Sequence, residues 1–186
     1  MNKFIMPSGN RKTQKGMTFI EVLIALVIIV TGILGAVAMQ ATAKQASFDA
    51  MQRSLASSLA QDIIARMRAN DPANLEAYAL DNYGDTLDAK PELRCDLVTA
   101  LCNSTQLATN DRYEWELALL GGDVTDSDNN NTGGLINGRG CITYEENQLE
   151  VVVSWYGRNE IKDINKSDCA DGGGKRRQVV VHAFII

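Results

Sequence analysis

Residues 15–30 have the sequence KGMTFIEVLIALVIIV, and the predicted architecture of the chain starts from this segment. From Val22 to Met39 the sequence carries no charged residue, and apolar residues dominate. At ~1.5 Å rise per residue, a helix from Met17 to Met39 spans roughly 33 Å, close to the ~30 Å hydrocarbon core of a bilayer. The pattern therefore predicts a helix whose first part, residues 17–39, crosses a membrane.

One carboxylate, Glu21, lies just inside this apolar segment. A charge at that depth costs about 2 kcal/mol or more, least where it lies near the interface. Such a charge needs a partner, so a functional role is the default hypothesis for Glu21. The alternative is an acid that only complements the dipole at the helix N-terminus.

The residues around Glu21 carry a resemblance to a known family. Gly16, followed by Met17-Thr18-Phe19-Ile20-Glu21, resembles the N-terminal signal of type IV prepilins. The resemblance implies that a prepilin peptidase cleaves between Gly16 and Met17, that Met17 is then N-methylated, and that Glu21 guides assembly. Two departures are visible: Met17 replaces the Phe commonest in major pilins, and Ala38 stands where they usually carry a helix-kinking Pro.

The electrostatics of the cleaved N-terminus support the assembly role of Glu21. Cleavage after Gly16 creates an amine that is cationic, partly or wholly, at neutral pH. A subunit that leaves the bilayer for a filament core would bring Glu21 level with the amine of its neighbour. Burying the carboxylate and the amine costs desolvation free energy, and their attraction offsets this cost only when the two subunits are staggered so that the charges meet. We therefore interpret the pair as setting the register between subunits more than as adding net stability.

The first 16 residues contain four basic residues and no acidic one. Basic residues beside an apolar span hold that end in the cytoplasm, so residues 1–16 are predicted to be a cytoplasmic, cleaved leader and the C-terminal part to face outward. The chain has 18 basic residues in all, so 14 remain after the leader against 23 acidic ones. That balance argues against a nucleic-acid partner, which requires a basic patch.

An ordinary secretory signal peptide is the main alternative. Ala36-Val37-Ala38 offers a cleavage site of the A-x-A kind. That alternative predicts a secreted binding domain that starts at Met39. The apolar run, however, is longer than the ~7–15 residues of a usual signal-peptide core, and Glu21 interrupts its start.

Beyond the span the sequence turns amphipathic. Apolar residues recur every three or four positions at Phe48, Met51, Leu55, Leu59, Ile63 and Met67. This spacing predicts one apolar helical stripe, packed on a globular domain. Asn70-Asp71-Pro72 is predicted to end the helix, because the residue before Pro disfavours the helical region. The domains are therefore the leader 1–16, the long helix 17–70 and a globular domain 71–186.

The globular part shows weaker helical signals and three strand signals. Residues 74–80 could make two helical turns, and Asn110-Asp111 is predicted to cap a helix that Gly121-Gly122 stops. Stretches rich in β-branched and aromatic residues predict strands at 140–144, 149–156 and 178–185, the first two joined by a hairpin at Glu146-Asn147. Lys175-Arg176-Arg177 is interpreted as a solvated turn. The predicted fold class is α+β: a long N-terminal helix on a small antiparallel sheet, which is the type IV pilin architecture.

Short matches narrow the resemblance to minor pilins of the PilV type, at residues 135–141, 151–155 and 176–182. The resemblance implies a minor type IV pilin that promotes initiation of pilus assembly and tip presentation. Its partners would be the prepilin peptidase, other minor pilins, the major pilin, a tip adhesin and the inner-membrane assembly platform. It would lie in the inner membrane with its C-terminal domain in the periplasm, and in a surface pilus after assembly. A pseudopilin of a type II secretion or DNA-uptake system remains the alternative.

The four cysteines permit three pairings. Outside the cytoplasm disulfides persist, and we expect Cys95–Cys102 and Cys141–Cys169. The second pair resembles the closing disulfide of many pilin domains. A zinc site is the competing interpretation, but the sequence has no CxxC pair and only one His.

Other candidate chemistry is sparse. Asp126, Asp128 and Asn130 fit the start of a calcium-loop pattern, but Asn131 and Asn137 replace its Gly and its final Glu, which favours a solvated loop and no metal. His182 lies in a predicted strand without a recognisable nucleophile motif. We therefore expect no enzymatic activity and no cofactor.

Overall fold

The computed structural model describes residues 16–96, 101–122, 124–128, 130–160, 169–170 and 173–185. Its elements, in chain order, are helix α1 (Phe19–Ala69), a 3-10 helix (Pro72–Tyr78), helix α2 (Ser104–Leu120) and strands β1 (Arg139–Glu145), β2 (Gln148–Tyr156) and β3 (Arg176–Phe184). The strands form one antiparallel sheet in the order β1-β2-β3. The predicted α+β fold with a long N-terminal helix is confirmed.

The chain divides into two compact units, Met1–Lys44 and Gln45–Ile186. The division falls within α1, whereas the sequence placed the domain boundary at the end of that helix, at residue 70. The second half of α1 therefore belongs to the same unit as the sheet.

In the first unit, α1 begins with the carbonyl of Thr18, which accepts from the backbone N–H groups of Glu21 (3.0 Å) and Val22 (3.3 Å). The helix contains two threonines, Thr31 within the apolar stretch and Thr42 just beyond it, and the hydroxyl of each has a partner. Thr31 donates to the carbonyl of Val27 (2.9 Å), and Thr42 bonds its own helix in the same way. The span therefore satisfies its polar groups internally, as a helix in lipid must.

The second half of α1 buries one face. Its buried residues are Gln52, Ala56, Leu59, Ala60, Ile63, Ile64 and Met67. The predicted stripe is therefore correct in its C-terminal part but wrong at Met51, which is 55% exposed. The buried position is Gln52, whose amide oxygen accepts from the Ile136 N–H (3.1 Å). Periodicity misses it because glutamine is polar and its partner lies 84 residues away.

The helix ends at Ala69, as the Asn-Asp-Pro signal predicted. Asp71 then caps the 3-10 helix, since its carboxylate accepts from the N–H of Ala73 (2.9 Å), and Pro72 occupies the first turn. The turns expected at 74–80 are thus present, but they begin at residue 72 and are 3-10 in kind.

The predicted start of α2 is wrong. The helix begins at Ser104, and its cap is Asn103, whose side chain accepts from the Gln106 N–H (2.9 Å) while the Gln106 side chain accepts from the Asn103 N–H (3.0 Å). This reciprocal pair is a capping box. Asn110 and Asp111 lie inside the helix and are buried, because their side chains bond to other segments.

The helix end and the sheet follow the predictions. Gly121 ends α2 in the left-handed region, at φ 71°. The strands lie within one or two residues of their predicted bounds. Glu146 and Asn147, both with positive φ, form the two-residue turn between β1 and β2. On the other side of β1, Tyr83 pairs with Gly140 and covers that edge.

Trp115 lies at the centre of the core. Its indole N–H donates to the carbonyl of Leu59 on α1 (2.8 Å), and the Tyr83 ring meets it edge-on at 4.9 Å. A Cβ at Gly140 on β1 would lie 2.4 Å from the indole ring, so only glycine admits this packing. The indole therefore links α1, α2 and β1.

Arg176 departs from the solvated turn predicted for 175–177. It opens β3, is 7% exposed, and its guanidinium stacks 4.2 Å from the centre of the Tyr156 ring. The same guanidinium donates to the carbonyl oxygen of Asn137 (2.8 Å). The prediction is wrong for Arg176 because its partners lie on other segments.

Candidate processing and assembly site

The predicted cleavage site lies just before α1. Residues 16–18 precede Phe19, the first residue of α1, and the side chain of Met17 is 71% exposed. A Cβ at Gly16 would meet nothing within 4 Å. The peptide between Gly16 and Met17 is therefore accessible and non-helical, as a peptidase substrate must be. The leader before Gly16 falls outside the described residues.

Glu21 lies in the first turn of α1, with its side chain exposed. A carboxylate there interacts favourably with the positive end of the helix dipole. The ion pairs of the described residues do not include Glu21. Both the assembly role and the dipole role are compatible with this position.

The apolar span that follows Glu21 is exposed throughout. From Val22 to Met39 each large apolar side chain is between 43% and 73% exposed. By length and composition alone, α1 is able to cross a membrane. These apolar side chains are not buried by the described residues of their own unit.

Both expected disulfides are present. Cys95 bonds Cys102 with a Cα–Cα distance of 5.8 Å, and Cys141 bonds Cys169 at 5.6 Å. Cys169 lies against β2, where its carbonyl accepts from the Ser154 hydroxyl (3.4 Å). The second disulfide therefore fixes this segment to the outer face of the sheet.

A charged network that sequence reasoning missed joins α1 to α2. The Arg66 guanidinium contacts Asp62 (2.9 Å), Asp111 (3.1 Å) and Glu114 (2.8 Å). Arg94, next to the first disulfide, also pairs with Glu114 (2.9 Å). Of the ion pairs in this network, the one between Asp62 and Arg66 has the i,i+4 spacing that a sequence can show. The network anchors the start of the disulfide loop to both helices.

Burial and hydrogen bonding shift pKa values in this network, among them those of Tyr78 and Glu114. Burial raises the pKa of Tyr78, and its hydroxyl, which donates to Asp111 (2.7 Å), is held in the neutral form. Burial alone would raise the pKa of Glu114, but hydrogen bonds from Arg66, Asn110 and Arg94 outweigh it and lower the pKa. Glu114 is thus ionised wherever the network is intact.

The candidate calcium loop is organised by its own hydrogen bonds. The carboxylate of Asp126 accepts from the N–H groups of Asp128 and Asn130, both at 2.9 Å, and from the Asn130 side chain at 3.2 Å. These bonds lower the pKa of Asp126. The described residues contain no group of three or more His, Cys, Asp or Glu able to hold a metal ion.

His182 lies on β3 with its side chain 73% exposed, and its Nδ1 is 3.5 Å from the Glu150 carboxylate on β2. This is a cross-strand pair on a solvated face. Such a pair stabilises a sheet slightly.

Two family models match adjacent parts of the chain. The prokaryotic N-terminal methylation motif matches residues 11–37, which contain Gly16, Met17 and Glu21. The model of type IV pilin Tt1218 matches residues 38–113, from the end of the span into α2. Together they cover residues 11–113, over half of the 186-residue chain. The chain belongs to the type IV pilin family.

Neither a curated protein nor a solved structure matches this pilin. Membership in the family implies processing by prepilin peptidase and assembly with other pilins. It is a family of structural subunits, and the exposed apolar helix fits a membrane-anchored pilin that later joins a filament. The sheet and the second disulfide lie beyond residue 113, so they complete the domain outside the matched region.

Proposed function

We propose that this pilin is a minor subunit of a type IV pilus, cleaved between Gly16 and Met17 and methylated at Met17. After extraction from the membrane, Glu21 sets its register against the N-terminal amine of a neighbour. The subunit promotes initiation of assembly and tip presentation, together with other minor pilins, the major pilin, a tip adhesin and the inner-membrane platform.

The observation that carries the proposal is the position of Glu21. It lies five residues after the cleavage site, within the matched motif, at the head of a helix whose apolar span is exposed throughout. Among the described residues Glu21 has no ion-pair partner, so in this proposal the partner comes from another subunit, which is the requirement of a register device. The minor-subunit assignment is supported by Met17 and Ala38, which depart from the major-pilin pattern.

The two disulfides support the proposed orientation. Disulfides persist in the periplasm and at the cell surface but are rare in the cytoplasm. Cys95–Cys102 and Cys141–Cys169 both lie in the unit that starts at Gln45. This unit is therefore proposed to face the periplasm, with the basic leader on the cytoplasmic side.

The test is the mass of the mature N-terminal peptide, combined with quantification of the subunit in sheared filaments. We expect a chain that starts at Met17 with one added methyl group, at a small fraction of the amount of the major subunit. A chain that starts at Met39 would contradict the proposal and indicate a secreted domain.

A pseudopilin shares the N-terminal signal, so the deletion phenotype separates the two machines. Loss of surface pili or of twitching motility supports the pilus assignment. Loss of secreted enzymes or of DNA uptake, with pili intact, would instead indicate a pseudopilin.

A further inference from the structure

A polar cleft lies at the end of the sheet where β2 finishes and β3 begins, within the unit Gln45–Ile186. Its cavity volume is about 290 Å³, close to the lower end of the ~300–1,000 Å³ that is typical of small-ligand sites. Three segments of the chain supply most of its polar lining, which consists of Asp81, Asn82, Asp85, Asn137, Arg139 and Tyr156. Arg176, the first residue of β3, completes that lining.

Two arginines fix the walls of this cleft. Arg176 is buried, stacks 4.2 Å from the centre of the Tyr156 ring, and donates to the carbonyl oxygen (2.8 Å) and the side-chain oxygen (2.9 Å) of Asn137. The Arg139 guanidinium pairs with the carboxylate of Asp85 (3.3 Å). Because these groups already hold one another in place, a ligand would not have to order them on binding.

Three other side chains of the lining offer polar atoms to a ligand. The carboxylate of Asp81, the amide of Asn82 and the hydroxyl of Tyr156 make no hydrogen bond or ion pair with the described residues. Asp81 and Asn82 are exposed and Tyr156 is half-buried, so a ligand can reach all three. A carboxylate accepts hydrogen bonds, whereas an amide and a phenol both accept and donate them.

The charges of the lining indicate the class of ligand. Asp81 and Asp85 supply two carboxylates, and Arg139 and Arg176 supply two guanidinium groups, so the described lining has no net formal charge. An ion would gain no overall attraction in such a cleft, and burying an unpaired charge is costly. A neutral sugar ring fits this environment, because each of its hydroxyl groups both donates and accepts hydrogen bonds.

We propose that this cleft binds a neutral saccharide. Asp81 and Asn82 bind its hydroxyl groups together with the hydroxyl of Tyr156, while Arg139 and Arg176 hold the walls in position. The inference goes beyond the proposed function and does not depend on it, since the cleft lies within the unit Gln45–Ile186 and requires no neighbouring subunit.

The test measures saccharide binding by the full-length chain in a detergent that has no sugar head group. The probes of the first arm are galactose, glucose, N-acetylglucosamine, their disaccharides and, as a charged sugar, sialic acid. The second arm uses neutral polysaccharide from the envelope of the cell that carries the pilin. We expect saturable binding of at least one neutral probe, and binding in the second arm would identify the cell's own surface as a source of the ligand.

Two substitutions test whether the saccharide occupies this cleft. Asp81→Ala removes the carboxylate, and Tyr156→Phe removes the hydroxyl but keeps the ring that packs on Arg176. We expect each to weaken binding on the order of tenfold, the effect of a lost hydrogen bond. Glu92→Ala is the matched control, because Glu92 is an exposed carboxylate outside the cleft, and it should bind as the wild type does. The midpoint of thermal denaturation should be the same for all four chains.

Three results would overturn the inference. They are the absence of saturable binding in both arms, equal binding by the wild type and the two cleft variants, and a preference for sialic acid over the neutral sugars. None of them bears on the proposed function, which is tested by the mass of the mature N-terminal peptide. Conversely, a mature chain that starts at Met39 would contradict the proposed function but would still contain the cleft.

Discussion

The two halves of α1 belong to one continuous helix, yet they differ in how their apolar residues are covered. From Val22 to Met39 the helix is almost wholly apolar and wholly exposed. From Gln52 to Met67 it contains charged and polar residues, yet buries seven side chains. An apolar stretch of sequence shows how much surface has to be buried. The sequence of that stretch does not show which other part of the protein, or which partner, buries it. The second half is buried against α2 and the sheet. The first half would be buried by a bilayer or by other subunits.

The largest expected effect concerns Glu21, the carboxylate just before the apolar span. Glu21→Ala should still be cleaved and inserted into the membrane, but its incorporation into filaments should fall on the order of a hundredfold. Leaving one member of a buried ion pair unpartnered costs about 3–5 kcal/mol, and about 1.4 kcal/mol corresponds to tenfold. Immunoblots of sheared pili measure the loss.

Glu76→Ala is the matched control for that experiment, because Glu76 is an exposed carboxylate on the 3-10 helix. It should leave incorporation unchanged. Normal incorporation of Glu21→Ala would contradict the register hypothesis and favour a role limited to the helix dipole.

Two isoleucines of α1, one buried and one exposed, test whether the two halves of the helix contribute differently to stability. Ile63 is fully buried, whereas Ile28 is 64% exposed. Ile63→Ala should lower the free energy of unfolding by about 2–5 kcal/mol, since it leaves a cavity in the core. Ile28→Ala should change it by less than about 0.5 kcal/mol.

Urea denaturation of the full-length chain in detergent measures both isoleucine variants. The signal is tryptophan fluorescence, because both tryptophans, Trp115 and Trp155, lie in the core. Equal effects of the two substitutions would show that the span also contributes to the stability of the domain.

Gly140→Ala tests the close packing of β1 against the Trp115 ring. The added Cβ would lie 2.4 Å from the Trp115 ring, so the indole or β1 must shift. Overpacking of this kind costs about 1–3 kcal/mol. Gly173→Ala is the control, because a Cβ there meets nothing within 4 Å. Thermal denaturation should separate the two variants, and similar midpoints would contradict the packing assigned to Trp115.

The smallest effect concerns the paired charges of the domain. Glu114→Gln should lower the stability by about 1–2 kcal/mol at neutral pH, after allowance for its partial exposure. Because the folded pKa of Glu114 is lowered, its contribution is present above its unfolded value, about 4.3, and disappears as the pH falls through the folded value.

The free energies of unfolding of Glu114→Gln and the wild type should therefore converge in acid. Denaturant titrations from pH 7 to pH 3 check this, with the exposed Glu76→Gln as the control. A difference that persists at low pH would show that the lost stability comes from packing instead of charge.

Local and periodic features of this protein are determined by its sequence. The uncharged run predicts the span, the Gly16–Glu21 spacing predicts the cleavage site, and the Asn-Asp-Pro stop predicts the end of α1. The stretches rich in β-branched and aromatic residues predict the sheet. Each of these features depends on residues that are close together in the sequence, so it does not require contacts between distant segments. Four cysteines permit three pairings, so the two disulfide pairs were an expectation from the sequence, and only the fold decided between the alternatives.

Other features were decided only by tertiary structure. Gln52 is buried because Ile136 and Gly134 meet its amide, and Asn110 lies inside α2 because Arg94 bonds its side chain. Arg176 is buried because Tyr156 and Asn137 receive its guanidinium. From sequence alone, a polar residue is expected to be exposed or to cap a helix, because burying it costs desolvation free energy. A hydrogen-bond partner in a distant segment offsets that cost, but it leaves no pattern in the local sequence.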